Sequence, residues 1–155
     1  VGLFSSGYEE RCIFLPQALQ GPRVRKAVVL GFKDLAGTTP RKSHDEYFRK
    51  AWLTEPVIAS AGNDFVVQEL LNSILSSGRQ VSKILVDCSS MSRLWYSGIL
   101  NWARFGNPSE ETVIDFGYSL GVYENETPPM VIEEMVSIPG CEGGALRSTR
   151  SLAIS

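Results

Sequence analysis

The segment Lys83-Ile84-Leu85-Val86-Asp87-Cys88-Ser89-Ser90 is an apolar run that ends in an acid and a pair of serines. A continuous apolar run of this length is typical of a strand buried on both faces of a parallel sheet. Two further runs share the pattern: Val1 to Ser5, which leads into Ser6-Gly7, and Ala27 to Phe32. We therefore predict three buried strands, two of which lead into paired serines.

Amphipathic helices are predicted between these strands. The clearest extends from about Phe65 to Leu75, where apolar residues recur at the spacing of one helix face. Another is predicted to begin with Ser90 as its cap and to end at Gly106.

Two capping boxes predict further helix starts. The S-x-x-E spacing of Ser6 with Glu9, and of Ser43 with Glu46, satisfies free amides in the first turn of a helix. The first box predicts a helix from about residue 8 to residue 18. The only histidine, His44, then lies early in the second helix, where we expect a surface or capping residue.

The order of these elements predicts the fold class. Shorter strands are predicted at 57–60, 112–118 and 130–138, so that strands alternate with helices. This alternation favours an α/β fold, a Rossmann-like open, mainly parallel sheet with helices on both faces. We assign residues 1–138 to this domain, and 139–155 to a glycine-rich connector and the start of a further strand. Because the chain lacks an initial methionine and ends in a strand-like pattern, we expect it to continue into a missing region.

Composition narrows the function classes. The 155 residues carry a net charge of −2, with acidic and basic residues mixed, which does not indicate a broad nucleic-acid-binding face. Three widely spaced cysteines form neither a disulfide framework nor a zinc site, and they suit a reducing compartment. No apolar run has membrane-spanning length, so we expect a cytoplasmic protein that does not interact with membrane.

Two loops have the same design: a strand, paired serines, a predicted helix start and an arginine. Because ligands of open α/β sheets bind beyond the carboxyl ends of the strands, both loops are candidate binding elements. Helix-start amides, hydroxyls and arginines attract anions, which favours a nucleotide or another phosphorylated ligand. Salt bridges from the arginines to Glu9, Glu10 or Asp34 are the alternative. The candidate ligand-binding residues are Ser5, Ser6, Gly7 and Arg11 in the first loop, and Asp87, Ser89, Ser90 and Arg93 in the second.

Catalytic groups are scarce in this sequence. Asp87 is the candidate catalytic residue if the protein is an enzyme, although an acid at a strand end often only caps the following loop. Cys88 lies where a helix terminus would lower its pKa, but a base is missing nearby, and we expect a buried small residue. The sequence lacks the motifs of P-loop, α/β-hydrolase and dinucleotide-binding sites, and no metal or cofactor is predicted.

Two glycine-containing stretches add weaker candidates. Tyr118 and Tyr123 follow a predicted strand, where an aromatic ring is able to stack on a base, although an ordinary core or loop tyrosine is expected more often. The loop 139–144 contains three glycines, with Arg147 and Arg150 beyond it. A flexible connector explains this loop as well as a phosphate site does.

The order of these signals resembles that of CARF and SAVED domains, Rossmann-like sensors of prokaryotic defence systems. The resemblance rests on Ser5-Ser6-Gly7 and on Asp87 to Arg93, ten of the 155 residues, together with the strand order. It implies binding of cyclic oligonucleotides at the loops after the first and fourth strands, often across a homodimer. The chain departs from the family at Ser89-Ser90-Met91, where CARF proteins often have a threonine- and glycine-rich loop.

Three functional hypotheses follow from these observations. The first is a nucleotide- or phosphate-sensing domain that regulates the remainder of the same protein or a partner subunit. The second is a nucleotide-processing enzyme, such as a glycosidase of the TIR or deoxyribosyltransferase type, with Asp87, Glu9 or Glu10 as its carboxylate. The third is a scaffold domain with an empty pocket. The scarcity of catalytic groups favours the first hypothesis over an enzyme.

Overall fold

A computed structural model describes residues 1–20, 23–34, 36–76, 83–106 and 112–121 of the chain. Its strands are β1 (Gly2–Ser6), β2 (Ala27–Phe32), β3 (Val57–Ala59), β4 (Lys83–Asp87) and β5 (Val113–Gly117). Its α-helices are α1 (Phe14–Leu19), α2 (Thr39–Trp52), α3 (Phe65–Ser76) and α4 (Arg93–Phe105), and a 3-10 helix, Glu10–Ile13, precedes α1.

The five strands form one parallel sheet in the order β3-β2-β1-β4-β5. The chain passes from β1 outward to β2 and β3, and then crosses back to place β4 on the other side of β1. The direction of winding therefore changes between β1 and β4, at the centre of the sheet. The predicted Rossmann-like α/β fold is confirmed.

Each face of the sheet is covered by helices, because the strands alternate their apolar residues between two cores. One core joins strand residues such as Leu3 and Val86 to α3 and α4, with Trp95 completely buried. The other joins Phe4 and Val29 to Phe48 of α2. The predicted bounds of β2, β4 and α3 are confirmed within one residue.

Helix starts differ from the predictions in three places. Ser92, not Ser90, caps α4, where its Oγ accepts a hydrogen bond from the Trp95 amide at 3.1 Å. Both predicted capping boxes are wrong. Ser6 is the buried last residue of β1, whereas α2 begins at Thr39, so that Ser43 lies inside this helix. Pro40 explains the earlier start, since its fixed φ and missing N–H suit the first turn of a helix.

Predictions for the last part of the sequence lie outside the described residues. These are the strand at 130–138, the connector at 139–155, Tyr123, and the arginines at 147 and 150. Among the helices that the structure does describe, none combines the length and apolarity needed to cross a membrane.

A buried ion pair fixes the start of α2 to the sheet. Arg41 is 1% exposed, and its Nε donates to Asp45 Oδ1 at 2.9 Å, one helical turn further on. Its Nη1 donates to the carbonyl oxygen of Phe32, the last residue of β2. The guanidinium lies directly over Gly31, where any side chain would occupy the same space.

Gly31→Ala should destabilise the protein by about 1 to 3 kcal/mol, because an overpacked core must rearrange. The added Cβ would overlap Arg41 Nη2 and lie 2.8 Å from Ile58 Cδ1. Arg41 cannot move aside without losing its buried hydrogen bonds. Urea unfolding followed by tryptophan fluorescence measures the loss. Gly37→Ala, where no atom lies within 4 Å, is the control and should change stability by less than about 0.5 kcal/mol. Equal losses in both variants would contradict this account of Gly31.

Candidate functional site

A cavity of about 230 Å³ opens between the segments that follow β1 and β4. It lies where the winding of the sheet changes direction, the usual ligand position in open α/β sheets. The two segments lie close together there, since a Cβ added to Gly7 would lie 3.4 Å from the Cβ of Ser90. The cavity is lined by residues after both strands and by the last residue of β2: Gly7, Tyr8, Glu9, Arg11, Phe32, Ser89, Ser90 and Met91.

The structure divides the predicted ligand-binding residues into two groups. Four of them line the cavity: Gly7, Arg11, Ser89 and Ser90. The other four do not line it. Ser5 and Ser6 are buried in β1, Asp87 is the buried last residue of β4, and Arg93 is the exposed first residue of α4.

Hydrogen bonds from α2 hold the end of β1 and the segment that follows it. The Ser6 hydroxyl donates to Asp45 Oδ1 at 2.6 Å and accepts from Arg41 Nε at 3.2 Å, so both its roles are filled inside the protein. His44 Nδ1 lies 2.9 Å from the carbonyl oxygen of Gly7. Because a carbonyl oxygen only accepts, Nδ1 carries the hydrogen. The expectation that His44 is a surface or capping residue is therefore wrong, since it is buried behind the cavity wall.

The segment after β4 is organised by Asp87. Its Oδ1 accepts from the Ser89 amide at 3.0 Å and from the Ser89 hydroxyl, which is the turn that aspartate commonly forms with the residue two positions later. The Ser89 oxygen in turn accepts from the Ser119 amide at 2.7 Å, just beyond β5. Burial raises the pKa of Asp87, against the lowering effects of the Ser89 hydrogen bonds and the charge of Arg11.

Ser90 has a different environment from its neighbour. Its Oγ is buried in the cavity wall and has no hydrogen-bond partner among the described residues. A buried hydroxyl left without a partner costs about 1 to 3 kcal/mol, and such groups are rare in native proteins. Among the described buried side-chain atoms, Arg41 Nη2 is the other one without a partner, and of these two residues Ser90 is the one that lines the cavity.

Arg11 is the cation of the cavity wall. Its Nε donates to Glu9 Oε2 at 2.5 Å, and its Nη1 donates to the Tyr118 hydroxyl at 2.7 Å. The guanidinium carbon also lies 5.5 Å from the centre of the Tyr118 ring. Burial acts to lower the pKa of Arg11, but the bonds to Glu9 and Tyr118 raise it overall. The salt bridge from Arg11 to Glu9, which the sequence suggested as an alternative to ligand binding, is thus present. Arg11 Nη2 has no partner among the described residues.

Neither described cysteine is activated as a nucleophile, because the pKa values of both thiols are raised. Burial and the charge of Asp87 raise the pKa of Cys88, whose Sγ donates to the Gly117 carbonyl oxygen at 3.2 Å. The expectation that a helix terminus lowers this pKa is wrong, because α4 begins five residues later. Burial raises the pKa of the Cys12 thiol to about 12, so both thiols stay protonated at neutral pH.

Several residues of the site carry no clear signal in the sequence. Tyr8 follows the first predicted motif, Met91 lies inside the second without a predicted role, and Phe32 is the last apolar residue of a predicted strand. Phe32 stacks on Trp95 with the ring centres 4.3 Å apart, which fixes one aromatic wall. Tyr118 was noted for its position after a strand, and this position does bring it to Arg11.

The site combines one paired cation, one unpartnered hydroxyl and two aromatic rings. Within the described ranges, no three histidine, cysteine or carboxylate side chains come together as metal ligands. Comparison with models of known protein families found no match for this chain, and comparison with curated proteins found none either.

Ser89→Ala and Ser90→Ala should have opposite consequences for stability. Loss of the Ser89 hydroxyl breaks its bonds to Asp87 and Ser119 and should cost about 1 to 3 kcal/mol. Loss of the unpartnered Ser90 hydroxyl should leave the free energy of unfolding unchanged or raise it. Urea unfolding of both variants measures the difference. An equal loss from Ser90→Ala would show that its hydroxyl has a partner inside the protein.

Asp87→Asn should become more stable relative to the wild type as the pH rises from about 4 to 7. The pKa of Asp87 is raised above 3.8, so the folded protein keeps a proton that the unfolded chain has already released. This difference stabilises the folded wild type at low pH. The wild type loses this stabilisation as the pH rises through the pKa of the folded state. Asparagine keeps the accepting oxygen but does not titrate. Unfolding free energies over this pH range test the slope, with Asp34→Asn at an exposed position as the control. A difference between Asp87→Asn and wild type that stays constant with pH would contradict it.

Proposed function

We propose that this domain binds a nucleotide or another phosphorylated small ligand in the cavity between β1 and β4, and that it acts as a sensor. The observation that carries the proposal is the buried, unpartnered Ser90 hydroxyl in the same cavity wall as the Arg11 guanidinium. A phosphate oxygen accepts from both groups, because hydroxyl and guanidinium are the donors that phosphate sites use.

The start of α4 adds to this preference for an anion. α4 has 13 residues and follows Met91, which lines the cavity. Its aligned peptide dipoles place partial positive charge at this end. Arg93, its first residue, is exposed and has no hydrogen-bond partner among the described residues, so it contributes at longer range than Arg11.

Aromatic side chains support a nucleotide over a bare phosphate. Phe32 and Tyr8 line the cavity, and Phe32 is held in place by its stack on Trp95. Rigid aromatic rings bind nucleobases by stacking, with little dependence on the identity of the base.

The buried position of Asp87, outside the cavity, supports a sensor over an enzyme. Asp87 is 2% exposed and does not line the cavity, so its carboxylate is not placed to reach a ligand there. The resemblance to CARF and SAVED domains adds cyclic oligonucleotides to the candidate ligands and a role in antiviral defence. The sensor would pass its signal to the remainder of the protein or to a partner subunit, including a second copy of the chain.

One observation favours the alternative of a nucleotide-cleaving enzyme. Glu9 is a carboxylate in the cavity wall, with its side chain 31% exposed. A glycosidase needs a carboxylate next to the sugar, and Glu9 is the residue placed to supply it. Incubation of the protein with a bound nucleotide, followed by chromatography, separates the two functions, since a sensor returns its ligand intact.

A thermal-shift screen against mononucleotides, dinucleotides and cyclic oligonucleotides tests the proposal. A ligand should raise the melting temperature of the wild type, and Arg11→Gln and Ser90→Ala should weaken its binding. For Arg11→Gln we expect a loss of about 1.5 to 3 kcal/mol, roughly tenfold to a hundredfold in affinity, because a charge-assisted hydrogen bond is removed. Each variant is compared with its own unliganded melting temperature, since Arg11 also contacts Glu9 and Tyr118.

Two variants serve as references for this screen. Arg104→Gln makes the same change at the far end of α4 and should not alter binding. Arg93→Ala should weaken binding less than Arg11→Gln does, since Arg93 does not line the cavity. Absence of any shift in the wild type, or a shift that survives in Arg11→Gln and Ser90→Ala, would overturn the proposed site.

A further inference from the structure

We infer that Glu9 determines the specificity of this cavity, by favouring a ribose-bearing phosphate ester over inorganic phosphate or pyrophosphate. The inference rests on the proposed nucleotide site and adds the chemical class of its ligand.

The geometry behind this inference is the pairing of the two charged residues in the cavity wall. Glu9 Oε2 accepts from Arg11 Nε at 2.5 Å, and the two side chains are only 31% and 16% exposed. Both line the same cavity. The pair is locally neutral, so the cavity does not present Arg11 as a free positive charge.

This neutral pair disfavours an anion that brings only charge. Such an anion gains attraction to Arg11 but meets repulsion from Glu9 at nearly the same distance. The repulsion is stronger than at an open surface, because both side chains are partly buried. Pyrophosphate should therefore bind weakly, in spite of the arginine and the Ser90 hydroxyl.

The same pair favours a ligand that carries hydroxyl donors beside its anion. An ionised carboxylate only accepts hydrogen bonds, and its two oxygens offer about four acceptor positions. Arg11 occupies one of them. A ribose hydroxyl donates to a remaining position in a charge-assisted bond, while the phosphate a few atoms away reaches Arg11 Nη2 and Ser90 Oγ. A nucleotide carries both groups.

Glu10 supplies a matched control. It is the next residue in the chain and carries the same charge, but it is exposed and does not line the cavity. Glu10→Gln therefore reproduces the change in net charge without changing the cavity wall.

Titration calorimetry of the wild type, Glu9→Gln and Glu10→Gln tests the inference with three probes. These are pyrophosphate, the four ribonucleoside 5′-monophosphates, and their 2′-deoxy counterparts. The wild type should prefer a ribonucleotide to its deoxy form by about tenfold, the value of one hydrogen bond to a charged group. Glu9→Gln should lose most of this preference and bind pyrophosphate roughly threefold to tenfold more tightly. Glu10→Gln should behave as the wild type in both respects.

The outcomes separate this inference from the proposed function. If Arg11→Gln abolishes pyrophosphate binding while Glu9→Gln and Glu10→Gln have the same small effect, the anion site stands and the role of Glu9 is overturned. Equal affinity of the wild type for ribose and deoxyribose forms overturns it as well. If no probe binds to the wild type, the inference fails, and the proposed function is then decided by the dinucleotides and cyclic oligonucleotides of the thermal-shift screen.

Discussion

Arg41 is a charged side chain that is almost completely buried, and its interactions connect three elements of the fold. It bridges Asp45 on its own helix, Ser6 at the end of β1 and the Phe32 carbonyl oxygen at the end of β2. Burying a charge is costly unless it is paired and hydrogen-bonded, so this arrangement tolerates little displacement. The Arg41 contacts therefore fix the ends of β1 and β2, and with them the cavity-lining residues Gly7 and Phe32. Asp45 accepts hydrogen bonds from both Ser6 and Arg41. His44, the residue before Asp45 in α2, is hydrogen-bonded to the Gly7 carbonyl oxygen.

A second set of contacts, at the end of β5, holds the two sides of the cavity in place. The Gly117 carbonyl oxygen accepts from the Cys88 amide at 2.9 Å, the Ser119 amide donates to Ser89, and Tyr118 accepts from Arg11. Ser89 and the Nη1 side of Arg11 are thus positioned by residues that do not themselves line the cavity. Among the described residues, the Ser90 hydroxyl and Arg11 Nη2 have no partner, whereas Ser6, Ser89 and Asp87 are hydrogen-bonded within the protein. The proposed nucleotide site depends on this division between supporting and available groups.

The predictions succeeded or failed according to the range of the interactions that decide each feature. β2 and β4 have their predicted bounds, because a continuous apolar run is itself the property that buries a strand. The Ser6 capping box failed because Ser6 has partners 35 and 39 residues away, which its local spacing does not reveal. The Ser43 box failed for a local reason, since Pro40 favours an earlier start of α2, at Thr39. Ser92, which caps α4 through the Trp95 amide, also donates from its hydroxyl to the Ala61 carbonyl oxygen at 2.8 Å. That contact places the start of α4 against the turn after β3.

The sequence by itself determined the fold class and the edge of the sheet where a cavity would form. Apolar runs of strand length that alternate with helical periodicity have few arrangements that bury all of them, and these place the segments after β1 and β4 side by side. Only the tertiary structure decided which hydroxyls and charges are available there. The two adjacent serines Ser89 and Ser90 are indistinguishable in sequence, yet one is bonded to Asp87 and Ser119 and the other has no partner among the described residues. The reason is that some partners, such as Ser119 for Ser89 and Asp45 for Ser6, lie 30 or more residues away and are brought close only by the fold, whereas strand and helix patterns are set by neighbours in the chain.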